Sequence, residues 1–204
     1  MFEIRSVDWS PPEPSGYDAL MLTSGHAATR AGPSLSRYTH LPCYCVGTAT
    51  AASARRAGLG RIVAGPGDGA ALAGLMAADG IGSALHLCGR DHLAVVHSGL
   101  RIERRIVYAA EPVAALPAPA ADALRGCAVA LIHSPAAGRL FARLFDEAGL
   151  KRRAVRIAAI SPAAAAGLGT GWAECLAAST PTDHALLELA SKLCQNAGES
   201  RPGL

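Results

Sequence analysis

Lysine is nearly missing from this chain. Of 19 basic residues in 204, only Lys151 and Lys192 are lysines; all others are arginine. Arginine's planar fork binds carboxylates and phosphates bidentately, although a general bias toward Ala, Gly, Pro and Arg explains the same excess. Aromatic residues make up 4% against an apolar fraction of 50%, so any core must be built from Ala, Val, Leu and Ile. A net charge of +3, scattered along the chain, excludes the electrostatic footprint of a nucleic-acid binder. No run of about eighteen apolar residues is present, and Met1-Phe-Glu-Ile-Arg5 is no signal peptide. A soluble cytoplasmic protein with no membrane partner is expected. The six cysteines, at 43, 45, 88, 127, 175 and 194, show no CxxC and no framework spacing. Most fall in or beside apolar runs, where a free thiol behaves as a small hydrophobe. The seven histidines form no HExxH; His86, His92 and His97 come nearest to a cluster, and no metal is expected.

What is present is a long internal repeat. Asp18-Ala-Leu-Met-Leu-Thr-Ser24-Gly-His-Ala-Ala returns as Ala128-Val-Ala-Leu-Ile-His-Ser134-Pro-Ala-Ala-Gly. Val46-Gly47-Thr-Ala returns as Ile160-Ser161-Pro-Ala, and Pro66-Gly-Asp68-Gly-Ala as Pro181-Thr-Asp183-His-Ala. Each copy is long enough for a small domain, and the stride is too long for a solenoid. Two related α/β domains define a cleft.

Apolar runs at Ala19–Thr23, Pro42–Val46, Arg61–Ala64, Ala84–Cys88, Ile102–Tyr108, Ala128–His133, Ala154–Ile160 and Trp172–Ala177 predict strands. Helical spacing predicts helices over Thr48–Ala57, Gly69–Ala78, Asp91–Gly99, Pro135–Ala148 and Thr182–Gln195. Such alternation implies parallel sheets with helices on both sides, and ligands beyond the carboxyl ends of the strands. The repeated anchors fall there: Thr23-Ser24-Gly25, Gly47-Thr48, His133-Ser134-Pro135 and Ser161-Pro162. Phe2–Val7 and Arg105–Pro112 are extended-looking runs followed by proline-rich stretches, and read as connectors crossing between domains. The division is then a connector at 1–7, a first domain at 8–104, a connector at 105–113 and a second domain at 114–204. The first copy closes with a strand–helix unit from Leu85 to Leu100; the symmetric unit of the second copy would precede Met1. The second domain is therefore expected to have fewer strands and an unfilled sheet position. A monomer is expected, with strand-mediated association through that edge as the alternative.

Three chemistries compete for these anchors. Gly65-Pro-Gly67-Asp-Gly-Ala70 fits the loose dinucleotide pattern GxGxxA, but its repeat partner has no glycines, so Asp68 and Asp183 read equally as helix-start residues. Ser24 lacks a GxSxG elbow and a placed acid, which argues against a nucleophile. Ser24 and Ser134 as helix caps remain, and a helix start bearing Ser, Thr and Gly also favours anions.

The chain resembles the uroporphyrinogen-III synthase family. The resemblance rests on Asp18-Ala-Leu-Met-Leu-Thr-Ser24, Val46-Gly47-Thr-Ala-Thr50-Ala, Gly58-Leu, Val107-Tyr108, His133-Ser134-Pro135, Ala159-Ile160-Ser161-Pro162 and Pro181-Thr182, in the family's order over nearly the whole chain. It implies two flavodoxin-like domains with parallel sheets, joined by a two-stranded connector, with the active site between them. The implied substrate is hydroxymethylbilane, a linear tetrapyrrole with eight carboxylates, which is dehydrated and cyclised with inversion of ring D; no cofactor or metal takes part. By the resemblance Tyr108 is the candidate donor to the leaving hydroxyl. Thr23, Ser24, Gly25, Gly47, Thr48, Thr50, Gly89, Arg90, His133, Ser134, Ser161 and Thr182 are candidate substrate contacts. After Ser161-Pro162 this chain has Ala163 and Ala164 where the family commonly places hydroxyls. The alternatives are an inactive relative that binds small anions and a nucleotide-dependent enzyme.

Overall fold

The computed structural model describes residues 1–126 and 129–199. Cys127 and Ala128, the latter expected to begin a strand, lie outside them. The chain divides into two compact units: Phe2–Glu111, and Met1 together with the residues from Pro112 onward.

The first unit is built on a six-stranded sheet in the order β1-β6-β5-β2-β3-β4. Its strands are β1 Phe2–Ser6, β2 Ala19–Leu22, β3 Cys43–Cys45, β4 Ile62–Ala64, β5 Ser83–Gly89 and β6 Arg101–Pro112. Every pairing from β4 across to β6 is parallel. β1 runs the other way along β6, as Val7 N–H donating to Val107 O and Val113 N–H donating to Met1 O require. These two strands fall on the stretches read as connectors. Helices α1 Gly25–Arg30, α2 Thr48–Arg56 and α3 Gly69–Ala78 follow β2, β3 and β4. Counted as the chain enters them, β4-β3-β2-β5-β6 have the order 3-2-1-4-5. That is the order of the first five strands of a dinucleotide-binding sheet, 3-2-1-4-5-6; a flavodoxin-like sheet is ordered 2-1-3-4-5.

Both faces of this sheet are covered, which is why its central strands are apolar without a break. Leu20, Leu22, Cys43, Cys45, Leu85 and Leu87 point to one side, against Ala27, Ala28, Ala51 and Ala54 of α1 and α2. Ala19, Met21, Tyr44 and Ala84 point to the other, against Leu72, Ala73 and Met76 of α3. Alanine on the helix faces lets helix and sheet approach closely, so few rings are needed between them.

The second unit contains α4 Ala118–Gly126, β7 Val129–Ile132, α5 Pro135–Glu147, β8 Arg156–Ala159, α6 Pro162–Ala166, β9 Glu174–Ala177 and α7 Asp183–Glu199. Its strands form a parallel three-stranded sheet, β7-β8-β9. Phe141, Phe145 and Trp172 pack with ring centroids 5.0 to 5.6 Å apart and supply most of the ring surface of its core. The run β7-α5-β8-α6-β9-α7 repeats β2-α1-β3-α2-β4-α3 element for element, as the sequence repeat requires. Among the described residues the second unit has three strands against the first unit's six. No helix of the described residues is long and apolar enough to cross a membrane.

Two expectations fail locally. Asp91–Gly99 is not a helix: it is irregular, with a single bridge between His97 and Leu100. Side chains there bond the local backbone, His92 Nδ1 to Gly89 O at 3.0 Å and His97 Nδ1 to Gly99 N at 3.1 Å. Leu93 and Val96 are exposed, so no apolar stripe supports so short a helix. Conversely, the Pro-Ala stretch after Pro112 yields α4. Pro117 and Pro119 lie at its start, where a missing N–H costs nothing, and alanines favour the rest.

Candidate active site

The chain lays down β2, β3 and β4 in one direction and then returns to place β5 and β6 on the other side of β2. Loops leaving β2 and β5 therefore diverge, and a crevice opens beyond their carboxyl ends. An open pocket of about 400 Å³ lies there. Thr23 and Ser24 follow β2, Gly89, Asp91 and His92 come from the end of β5 and beyond, and Tyr108 reaches in from β6.

Each group is placed by its local structure. Thr23 Oγ1 lies 2.9 Å from Nε2 of His86. His86 is fully buried, and burial, with smaller contributions from His92 and Arg104, lowers its pKa to about 4. The ring is therefore neutral at neutral pH. Ser24 caps α1 by accepting the His26 N–H at 3.2 Å, which leaves its own O–H free to donate. Tyr108 owes its position to a bulge: Cys88 pairs with Ile106, but Gly89 pairs with Tyr108, so Val107 is the extra residue. Bulges re-aim side chains. Here the ring lands against Gly89, where a Cβ would stand 2.6 Å from Tyr108 Cζ. The His26 ring meets it edge-on at 5.7 Å. The half-buried Tyr108 hydroxyl makes no hydrogen bond among the described residues.

A second depression, about 380 Å³, begins at Ser24 and Gly25 and runs between α1 and α2 past Thr50 and Ser53 to Arg56. Gly25 permits that close approach, since a Cβ would lie 2.6 Å from Ser53 Oγ. Gly47 and Thr48 begin α2 without a side-chain cap and line neither pocket. Arg90 lines neither as well; its guanidinium is held by Glu111 at 2.6 Å.

In the second unit the remaining candidates stand at the carboxyl ends of β7, β8 and β9. Ser134 accepts the Ala137 N–H at 3.1 Å, Ser161 the Ala164 N–H at 3.2 Å and Thr182 the Ala185 N–H at 3.3 Å. His133 Nε2 lies 3.5 Å from Asp183 Oδ1. The sequence pattern missed His26, Asp91 and Arg56 as lining groups. His26 was legible as the second residue after a cap, whereas Asp91 and Arg56 enter through a loop and a helix end that carry no periodic signal.

The nucleotide alternative meets a physical obstacle. Asp68 caps α3, its carboxylate accepting the Ala71 N–H at 2.8 Å, so a negative group already stands where a pyrophosphate would bind. Gly65 serves packing, because a Cβ there would meet Leu72 Cδ1 at 2.6 Å and Cys45 O at 3.1 Å. Among the described residues no group of three or more His, Cys, Asp or Glu converges as metal ligands would.

These features define a doubly wound α/β protein with a strand–helix pattern repeated in two units, serine caps at the helix starts after β2, β7 and β8, and a crevice at a strand-order reversal. The family model described as uroporphyrinogen-III synthase HemD matches residues 5–188, and the chain belongs to that family. Among solved structures it is similar to the uroporphyrinogen-III synthetase of Helicobacter pylori, at 17% identity and a TM-score of 0.65, over 95% of this chain and 91% of that one. That likeness shows a shared fold. Two structures of the Thermus thermophilus synthase, a mutant and the wild type, align at 18% and 17% identity with TM-scores of 0.45 and 0.40. They cover 96% and 98% of this chain and are covered over 87% and 89% of theirs. A search among curated proteins finds no significant match.

Proposed function

We infer how this chain performs the reaction its family membership assigns to it, the cyclisation of hydroxymethylbilane to uroporphyrinogen III with loss of water and inversion of ring D. The observation that carries the reading is the convergence of Thr23, Ser24 and Tyr108 on one pocket at the switch between β2 and β5. Tyr108 donates its phenolic proton toward the departing hydroxyl, which leaves as water. The resulting azafulvene closes by itself to the wrong isomer unless ring D is held so that its substituted carbon attacks, through a spiro intermediate. Positioning and exclusion of water do most of this work. Thr23, Ser24 and Thr50 donate to substrate carboxylates, while Asp68 and Asp91 suit the pyrrole N–H side of the bilane.

Ser134, Ser161, Thr182 and His133 are the second unit's candidate carboxylate contacts, and in the first unit Gly25 and Gly89 keep backbone close to the pockets, with Gly47 and Thr48 outside both. Arg90 contributes only where a substrate carboxylate displaces Glu111. In this reading residues 1–7 and 105–113 connect two domains, and the protein acts as a cytoplasmic monomer. The test is to incubate the protein with hydroxymethylbilane, oxidise the product and separate the isomers. Type III formed faster than spontaneous closure supports the reading. Type I alone, at the uncatalysed rate, makes the protein a non-catalytic anion-binding relative.

A further inference from the structure

Two buried polar atoms beside the pocket have no hydrogen-bond partner among the described residues: His86 Nδ1 and Arg104 Nε. They belong to register partners on the adjacent parallel strands β5 and β6, so both side chains leave the same face of the sheet. The guanidinium is anchored by Nη2, which donates to the carbonyl of Val95 in the loop lining the pocket. Arginine is always cationic, and its Nε can only donate.

A neutral imidazole carries one proton, on either nitrogen. On Nδ1 it would leave a buried N–H without an acceptor beside a cation. On Nε2 it leaves the Nδ1 lone pair there, which the cation favours. The second arrangement wins on both counts. Nε2–H then donates to Thr23 Oγ1 at 2.9 Å, and the Thr23 proton must be given elsewhere. Thr23 lines the pocket, so that is where its O–H can find an acceptor.

We propose that His86 is a positioning residue that makes the Thr23 hydroxyl a fixed donor toward a substrate carboxylate. The final step rests on the synthase reading of the pocket; the His86–Thr23 arrangement does not. Without His86 the Thr23 hydroxyl is free to turn and to offer its lone pairs, which repel a carboxylate.

Nitrogen-15 NMR of the histidine rings reads the arrangement directly. A His86 ring protonated on Nε2 is expected, and one protonated on Nδ1 overturns the proposal. Kinetics with hydroxymethylbilane read the consequence. Thr23→Val removes one hydrogen bond to a charged group and should raise KM roughly tenfold or more, with kcat changed less. His86→Leu should do the same, His86→Gln, which restores an N–H donor, should recover most of the loss, and the Thr23→Val/His86→Leu pair should be no worse than Thr23→Val alone. An unchanged KM in Thr23→Val, or additive losses in the pair, overturns the proposal. If His86→Leu does not fold, His86→Gln, Thr23→Val and the NMR measurement still decide. A wild-type protein that makes no type III isomer sinks the synthase reading instead, and the ring tautomer then tests the His86–Thr23 arrangement by itself.

Discussion

Replacing Gly89 by alanine tests the place of the Tyr108 hydroxyl without altering tyrosine. Gly89 is not among the glycines with positive φ, so its backbone accepts any residue. The added Cβ would meet Tyr108 Cζ at 2.6 Å, Cε2 at 2.7 Å and the hydroxyl oxygen at 2.8 Å. Ordinary carbon contacts lie near 3.5–4.0 Å, so the ring must retreat by about 1 Å. The atoms that must move are the far end of a half-buried side chain, which keeps the stability cost near the low end for overpacking, about 1 kcal/mol. A catalytic donor displaced by about 1 Å loses on the order of a hundredfold in rate. Tyr108→Phe leaves the ring in place and removes the donor, and about ten- to a thousandfold is expected. The assay is the rate of type III formation, with melting curves to separate folding from chemistry. Two results would refute the reasoning: wild-type turnover in Gly89→Ala with an unchanged melting temperature, or a Tyr108→Phe enzyme as fast as the parent.

Three further outcomes follow from described contacts. Stability should fall with acid through His86: its folded pKa of about 4 lies below the ordinary value near 6.5, so the unfolded chain takes up the proton first. The contribution, at most roughly 3 kcal/mol, is complete above pH about 6.5 and lost as pH falls toward 4; urea titrations should show a steeper slope in the wild type than in His86→Gln, where the lowered carboxyls of Glu103 and Asp146 still contribute. Arg152 binds Asp146 through two bonds of 2.6 and 2.8 Å, donates to Leu168 O and Thr170 O, and lies 5.0 Å from the Trp172 ring centroid. Arg152→Ala should therefore cost about 1–2 kcal/mol by denaturant melting, and lysine, lacking the fork, should restore little of it. Ser161→Ala should cost about 1 kcal/mol through the lost cap of α6. Ser161→Asp should cap as well as serine yet raise KM for the polyanionic substrate; an unchanged KM would remove Ser161 from binding.

The fold was legible wherever the apolar pattern answers to both faces of a sheet. Gly69–Ala78 matches α3 at both ends, and Pro135–Ala148 overruns α5 by one residue, because a cap and a buried stripe agree there. The repeat located the helix starts of both units, since a serine that closes a helix is constrained by backbone geometry and survives drift around it. Asp91–Gly99 was not legible, because its conformation follows from histidine-to-backbone bonds with no period. Nor was the strand order, which depends on where the chain turns back rather than on the composition of any strand. At the site, Tyr108 was legible only through family resemblance. Its placement depends on a bulge at Gly89, and a bulge leaves no mark in hydrophobic alternation. Arg90 shows the reverse, a basic side chain of suitable type whose charge is already engaged by Glu111.

The scarcity of aromatic residues leaves two tryptophans, and they fall one to each compact unit. Trp9 stacks on Tyr38 at 6.1 Å and donates to Ala31 O; Trp172 is buried between two phenylalanines under Arg152. Both indole N–H groups donate to backbone carbonyls, Trp172 to Leu168 O at 3.3 Å, yet the rings differ in surroundings, one lying beside a phenol and the other beneath a cation. Their emission spectra should differ, and each should shift only when its own unit opens. The chain carries a built-in pair of optical reporters, and Trp9→Phe and Trp172→Phe would turn a single fluorescence melt into two, showing whether the halves of this protein unfold together.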